Sequence, residues 1–367
     1  MPFEILSAEG EDARRWTALI NNLPPQRRDV HFLPEYGRIY RDTYGFEPLL
    51  AVYSEETGYI VQPLVRRPLS NLPFLAGAAD APAYSDIANP YGYGGPLCSS
   101  DDPVTGHALY KTFAERFPAW CDESDIASEF TSLHPFMVDH QRLLVDGCLA
   151  PKFEKNVVFI DLAQADFTSA LRKGHRSSIA AARKSGARIE KVEASARNLA
   201  ALSEMYNATM VRRRAADRWF VPENYFENCA HHLEADRSSL FFAIVDGKVE
   251  SGCLLVHDFG TAYYHFAGTY ATRPNLGINN LMVYETAIWA RSASFDRYHL
   301  GGGVTSNDDD SLLRFKSGFS DRRAPLYTYF CIRNKAVYDR LCERKRAYEL
   351  TTAGAESRSD FVPLYRR

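Results

Sequence analysis

Lys316 and the glycines ahead of it are the residues best suited to chemistry in this chain. Leu300-Gly301-Gly302-Gly303 is followed by Leu312-Leu313-Arg314-Phe315-Lys316-Ser317-Gly318-Phe319. Successive glycines carry no Cβ, so their backbone can approach a ligand closely. Lys316 stands between two phenylalanines in sequence, which predicts a partly desolvated ammonium ready to meet an anion. Gly302, Gly303, Phe315 and Phe319 are the candidate substrate contacts around it. A glycine turn followed by one lysine also occurs in ordinary loops, so the reading draws its weight from other segments.

Residues 171–189 hold six Lys and Arg and no acidic residue. At about 100° per residue, Arg172, Lys173, Arg176, Arg183 and Lys184 share an arc of roughly 120°. Phe167, Leu171, Ile179 and Ala182 take the opposite side. The pattern predicts a helix that docks on a core and offers a cationic face, either as plain solvated surface or for phosphates of a nucleotide, a coenzyme or an RNA end. Tyr206, Thr209 and Arg213 recur at helical spacing on a second face, which suits a solvent face or a substrate lining equally. Arg273, Gly277 and Asn279 lie in a loop entering a helix, where free backbone N–H groups attract phosphate. Asp86, ahead of Tyr91 and Tyr93 in a Gly- and Pro-rich stretch, is a candidate proton acceptor or amine anchor, or a turn cap. Tyr91 and Tyr93 are the matching substrate-contact candidates.

These groups need a scaffold. The chain has 367 residues, 46% hydrophobic and 13% aromatic, which implies about two domains. A formal charge of −3 excludes a whole-protein funnel for nucleic acid, so a polyanion must meet a local patch. The seven cysteines are scattered without a C-x-x-C pair, so neither a disulfide framework nor a metal site is expected. No basic region followed by an apolar run opens the chain, and no apolar run reaches about 18 residues. A cytoplasmic protein without integral membrane association is expected.

Helices are expected over 12–22 and from Pro34 to about Gly45. A strand is expected over 59–66, its Pro63 marking an edge or short strand. Residues 68–100 read as one long binding loop. The second half reads as a strand at 157–160, a helix opening at Asp166 or Thr168, and strands at 240–245, 249–257 and 262–268. Asp246-Gly247 is a hairpin signal. A helix at 278–291, strands at 297–300 and 326–330, and a helix at 337–348 follow. The tail beyond Thr351 is loosely held apart from 361–364. His134, His265 and His299 read as satisfied core histidines.

With Arg172-Lys173-Gly174-His175-Arg176 and Lys184-Ser185-Gly186, with Tyr206-x-x-Thr209-x-x-x-Arg213 before Tyr225-Phe226, and with Gly301-Gly302-Gly303 leading into Phe315-Lys316-Ser317-Gly318-Phe319, the chain resembles the FemAB family. These are aminoacyl-tRNA-dependent peptidyltransferases built from two acetyltransferase-like (GNAT) domains. The resemblance covers most of residues 30–345. It implies an α+β fold of two domains, each a mixed, mainly antiparallel sheet flanked by helices. The expected boundaries are 1–152 and 153–367, with about 325–350 packing on the first domain. It implies that the second domain holds the transfer site and that Lys316 meets the tRNA end or the charged transition state. The family's helical tRNA-binding arm has no counterpart among the heptad patterns here, which favours a smaller acceptor. Acyl-CoA enzymes of the same superfamily carry a (Q/R)-x-x-G-x-(G/A) loop. Here Arg273 and Gly277 are one residue further apart, and Asn279 replaces the small residue.

The expected activity is transfer of an aminoacyl group from aminoacyl-tRNA to an amine of a peptide-like or small-molecule acceptor, with no metal. The alternatives are an N-acyltransferase using acyl-CoA or a carrier-bound thioester, and a non-catalytic GNAT-like binding module. No Ser-His-Asp or Cys-His arrangement is legible, so no covalent intermediate is expected. Alignment can supply about 7–11 kcal/mol of the barrier and each oxyanion donor about 3–4 kcal/mol.

Overall fold

The computed structural model describes residues 3–75, 84–270, 276–353 and 362–366. In chain order it comprises β1 (Phe3–Ser7), α1 (Gly10–Asn21), α2 (Pro34–Tyr44), β2 (Glu47–Glu55), β3 (Gly58–Pro68), β4 (Ser85–Ala88), β5 (Leu97–Cys98), α3 (Pro103–Glu123), β6 (Ile126–Ser132) and α4 (Val138–Val145). There follow β7 (Lys152–Asp161), α5 (Lys173–Lys184), β8 (Arg188–Val192), α6 (Ala196–Arg213), α7 (Tyr225–Arg237), β9 (Ser238–Val245), β10 (Lys248–Asp258) and β11 (Thr261–Thr269). The last are α8 (Ile278–Ser292), β12 (Arg297–Gly301), α9 (Ser311–Lys316), β13 (Arg323–Ile332) and α10 (Lys335–Ala353). The chain divides into two compact units, one of Met1–Glu154 with Leu326–Arg367 and one of Lys155–Pro325. Each carries a mixed sheet flanked by helices, an α+β architecture.

In the first unit the strand order is β1-β2-β3-β4-β6-β13, with β5 also against β3. All named pairs are antiparallel except β4 with β6. A parallel pair needs a crossover, and α3 provides it. Asp102 caps α3 by accepting from Thr105 N at 2.9 Å. The expected edge strand at Pro63 is instead interior. Pro63 pairs with Leu50 on one side, while on the other β5 ends at Val61 and β4 begins at Val65. The missing N–H falls in the gap between two partners, so it costs no ladder bond.

The long loop expected over 68–100 is also revised. Its described part contains β4 and β5, and Asn89 Oδ1 accepts from Ser132 N at 2.8 Å, strapping it to β6.

The second unit has the order β7-β12-β11-β10-β9-β8. Asp246 and Gly247 both take positive φ, 50° and 75°, and turn β9 into β10 as a two-residue hairpin. Only β11 and β12 run parallel, joined by α8, and their pairing stops at Tyr263 with His299. Beyond that point β12 pairs with β7 alone, through a register shift between His299 and Gly301. Gly301 closes this bulge at φ 78°, a conformation that suits glycine. The core of this unit joins Val158, Ile160, Phe167, Ile179, Met282, Tyr298 and Phe319.

Candidate active site

The glycine turn ends β12 and faces α9. Asp310 caps α9, accepting from Leu312 N at 2.9 Å and Leu313 N at 3.0 Å through one oxygen. The other oxygen accepts from Val304 N at 3.1 Å and Thr305 N at 3.0 Å. These bonds hold the carboxyl down to about 2 against the opposing effect of desolvation. The loop and the helix are thereby locked together, and Lys316 in the last turn reaches back. Its Nζ donates to Gly302 O at 2.8 Å. A Cβ on Gly301 would come within 3.1 Å of that nitrogen, and one on Gly303 within 2.6 Å of Asp310 Cγ. The glycines are therefore needed to seat a lysine and a capping aspartate.

Lys316 is half-buried. Desolvation, with the ammonium of Lys155 adding to it and Asp310 opposing, pushes it down to about 7. Lys155 comes from β7 and donates from Nζ to Gly303 O at 3.3 Å. Two lysines thus hold consecutive carbonyls of one turn.

The sequence placed Lys316 between Phe315 and Phe319. The structure puts His175 there instead. Its ring lies 5.5 Å from Phe315 and 4.6 Å from Phe319, and its Nε2 meets Phe315 O at 2.8 Å. Burial pushes this histidine down. A Cβ on Gly318 would overlap the His175 ring. Phe319 is 1% exposed and Phe315 packs against the same core, so they support the site from beneath and do not line it.

The basic segment is a shorter helix than expected. Asp166 and Thr168 form a turn, with Asp166 Oδ1 accepting from Thr168 N at 3.1 Å and Thr168 Oγ1 at 2.7 Å. Arg172 has extended φ/ψ and stands at the N-cap position of α5 without a side-chain capping bond. Ile179 and Ala182 are buried as the periodicity required. Arg172 N donates to Gly318 O at 2.9 Å, which brings the start of α5 against the end of α9. Arg176 donates to Ser169 O at 2.8 Å. Arg183 is paired with Glu285 of α8 at 2.7 Å and lies over Tyr284, so it leaves the cationic face. Lys173 and Lys184 are exposed.

Gly277, at φ 69°, caps α8, and a Cβ there would overlap the Ser178 carbonyl of α5. Asn279 Oδ1 accepts from Ser251 Oγ at 3.1 Å. Arg273 lies outside the described residues.

The face of Tyr206, Thr209 and Arg213 divides. Tyr206 is 4% exposed and donates to Trp219 O at 2.5 Å, while its backbone abuts Gly268. Thr209 Oγ1 accepts from Thr269 N at 3.0 Å. Thr209 thus fastens α6 to β11, and Tyr206 fastens it to the Trp219 turn and to Gly268. Arg213 is exposed at the end of α6.

The first unit changes the role of Asp86. It lies on β4, fully buried, with Arg67 Nε at 2.7 Å, Arg366 Nε at 2.6 Å and Tyr365 Oη at 3.0 Å. The two guanidiniums hold it below the usual carboxylate range despite burial. It is a structural anchor for the segment after Val362 and cannot serve as a proton acceptor. Tyr93 is 8% exposed and packs edge-on to His31 and His134 at 5.3 and 5.1 Å, while Tyr91 is exposed with its carbonyl accepting from Tyr36 Oη at 2.5 Å.

Asp29 was not singled out by the sequence. It accepts from His31 Nδ1 at 2.5 Å and meets His134 Nε2 at 3.2 Å, all three buried. The donor atoms of this group lie within 4.8 Å of one another, a set able to hold a metal cation. Here they bond to one another. Phe136 N donates to His134 Nδ1 at 3.3 Å, which leaves Nε2 as the protonated nitrogen facing Asp29.

Residues 169–317 match the acetyltransferase (GNAT) domain family. A crystal structure of FemX superposes with a TM-score of 0.67 at 14% identity, covering 92% of this chain and 99% of its own. The chain has the FemAB-like tandem GNAT fold. Two further structures similar in shape are L-PGS from Bacillus licheniformis (TM-score 0.56, 11% identity, 93% and 97% covered) and the C-terminal domain of a putative lysylphosphatidylglycerol synthetase from Agrobacterium fabrum (TM-score 0.53, 14% identity, 93% and 96% covered). No curated protein matches the sequence significantly. The matched GNAT segment begins just before α5 and ends just after Lys316, so it encloses the basic helix, the glycine turn and the lysine. No helix among the described residues is long and apolar enough to cross a membrane.

Proposed function

We propose that the protein is a GNAT-type acyltransferase that moves an aminoacyl group from aminoacyl-tRNA to an amine of a peptide-like or small-molecule acceptor. The observation that carries this reading is Lys316, held by Gly302 O beside the start of a basic helix and brought down to about 7. At that value the side chain populates both protonation states near neutral pH, the condition for general acid–base work. The acceptor nitrogen forms a bond to the ester carbonyl, the carbon–oxygen ester bond breaks, and the proton lost by the amine ends on the leaving ribose oxygen. Lys316 takes the proton as neutral amine and returns it as ammonium. Arg172, Lys173 and Arg176 supply local positive charge for RNA phosphates.

The α8 start favours this donor over acyl-CoA. Ser178 presents a carbonyl oxygen against Gly277, the wrong polarity beside a pyrophosphate. The match to an acetyltransferase domain keeps acyl-CoA as the second reading. The test is to titrate the protein with acetyl-CoA and, separately, with a charged tRNA mixture. Binding of charged tRNA and loss of turnover in Lys316→Ala with the fold intact are expected. Tight acetyl-CoA binding without tRNA binding selects the second reading, and full activity of Lys316→Ala rejects the role of this lysine.

A further inference from the structure

We propose that Lys155 is a positioning residue for Lys316, fixing its place on the glycine turn and governing the charge on its Nζ. The two side chains come from distant parts of the chain, β7 and α9, and converge on the adjacent carbonyls of Gly302 and Gly303. With Gly303 O taken by Lys155, Lys316 is left with Gly302 O. The approach is tight. A Cβ on Gly302 would come within 2.9 Å of Lys155 Cδ and 3.1 Å of Asn156 O. Gly302 therefore exists as glycine to admit the Lys155 stem, as Gly301 does to admit Lys316 Nζ.

Like charges seated on adjacent carbonyls disfavour each other, and burial of the Lys316 ammonium acts in the same direction. The groups facing Lys316 are few. From β7 there is Lys155. From the loop before α9 there is Asp310, whose carboxylate is already committed to backbone N–H groups of Val304, Thr305, Leu312 and Leu313. From β12 there is His299, whose Cε1 lies 3.9 Å from the position a Gly301 Cβ would take. From α5, His175 is engaged by Phe315 O, and Arg172 meets the end of α9 through its backbone N–H. Lys155, seated on the next carbonyl of the same turn, is thus a cation whose removal changes the charge around Lys316 without disturbing the α9 cap.

The catalytic consequence rests on the transferase reading, but the test reads the amine itself. The native protein is labelled with trace acetic anhydride across about pH 5 to 11, the range that brackets a perturbed lysine. Modification at Lys316 is quantified by mass spectrometry, with exposed Lys152 as internal reference. Lys155→Met is expected to raise the Lys316 midpoint by at least about half a pH unit, roughly a threefold loss of neutral amine at a fixed lower pH. Lys155→Gln serves as a second neutral variant should methionine fail to pack. Lys155→Arg, which keeps the charge, is expected to hold the low midpoint. An unchanged midpoint in the neutral variants overturns the proposal. So does a rise of equal size in Lys155→Arg, because the charge would then not be the agent. Either failure leaves the donor titrations, and with them the transferase reading, standing.

Discussion

Replacing Lys316 with methionine should make the protein more stable at pH 6 while abolishing transfer. A lysine brought from an ordinary 10.5 to about 7 carries, in its charged form, a folded-state cost on the order of 5 kcal/mol. Water reaches this half-buried side chain and screens about half of that. The bond to Gly302 O, worth about 1 kcal/mol, is lost as well. The expected net gain for Lys316→Met is about 1–2 kcal/mol at pH 6. The sign follows from proton counting. The folded value lies below the unfolded one, so the unfolded chain binds more protons between about pH 7 and 10.5, and the parent gains stability as pH rises through that window. Methionine does not titrate. Its advantage is therefore full below about pH 7, shrinks across the window, and becomes a small loss above it. Urea unfolding at pH 6, 8 and 11 measures this, read by hydrogen exchange of peptides from residues 155–325 so that the first unit's transition does not enter. A variant less stable at every pH, or a difference that ignores pH, refutes the reasoning.

Gly277→Ala should cost more than about 2 kcal/mol, because it adds left-handed strain to an overlap with the Ser178 backbone; urea midpoints measure it, and a neutral effect would mean that α5 does not press on the start of α8. Asp86→Asn should lower the melting temperature through a loss of about 3–5 kcal/mol, since two buried guanidiniums lose their counter-charge, while the specific activity of the folded fraction stays at the parent value. The stability that Asp86 contributes is present above the ordinary carboxylate range and is lost as pH falls below it, so the parent and Asp86→Asn should converge in acid. Asp29→Asn should show the same acid convergence, checked by thermal melts from neutral pH downward.

Local signals were legible and distant pairings were not. Pro34 and Gly45 bound α2 as their backbone preferences require, and Asp246-Gly247 turns β9 into β10. Ile179 and Ala182 face the core as helical spacing demands. The α5 boundary was missed because the Asp166–Thr168 turn competes with helix initiation. Pro63 misled because its effect depends on where β4 and β5 stop, which is a tertiary fact. The capping role of Asp310 has a sequence signal, an aspartate immediately before Ser311-Leu312-Leu313. Lys155 had none, since no spacing links the start of β7 to the end of α9. Asp86 looked available only because Arg366, at the other end of the sequence, cannot be paired with it by inspection.

Arg366 has a further consequence for biosynthesis. The first unit takes residues from both ends of the chain, whereas the second is one continuous stretch. On a ribosome, the later-encoded half can close its core while the earlier one still lacks β13 and one of the two counter-charges of Asp86. The amino-terminal half of the message is thus translated first, yet its product is the last to be completed.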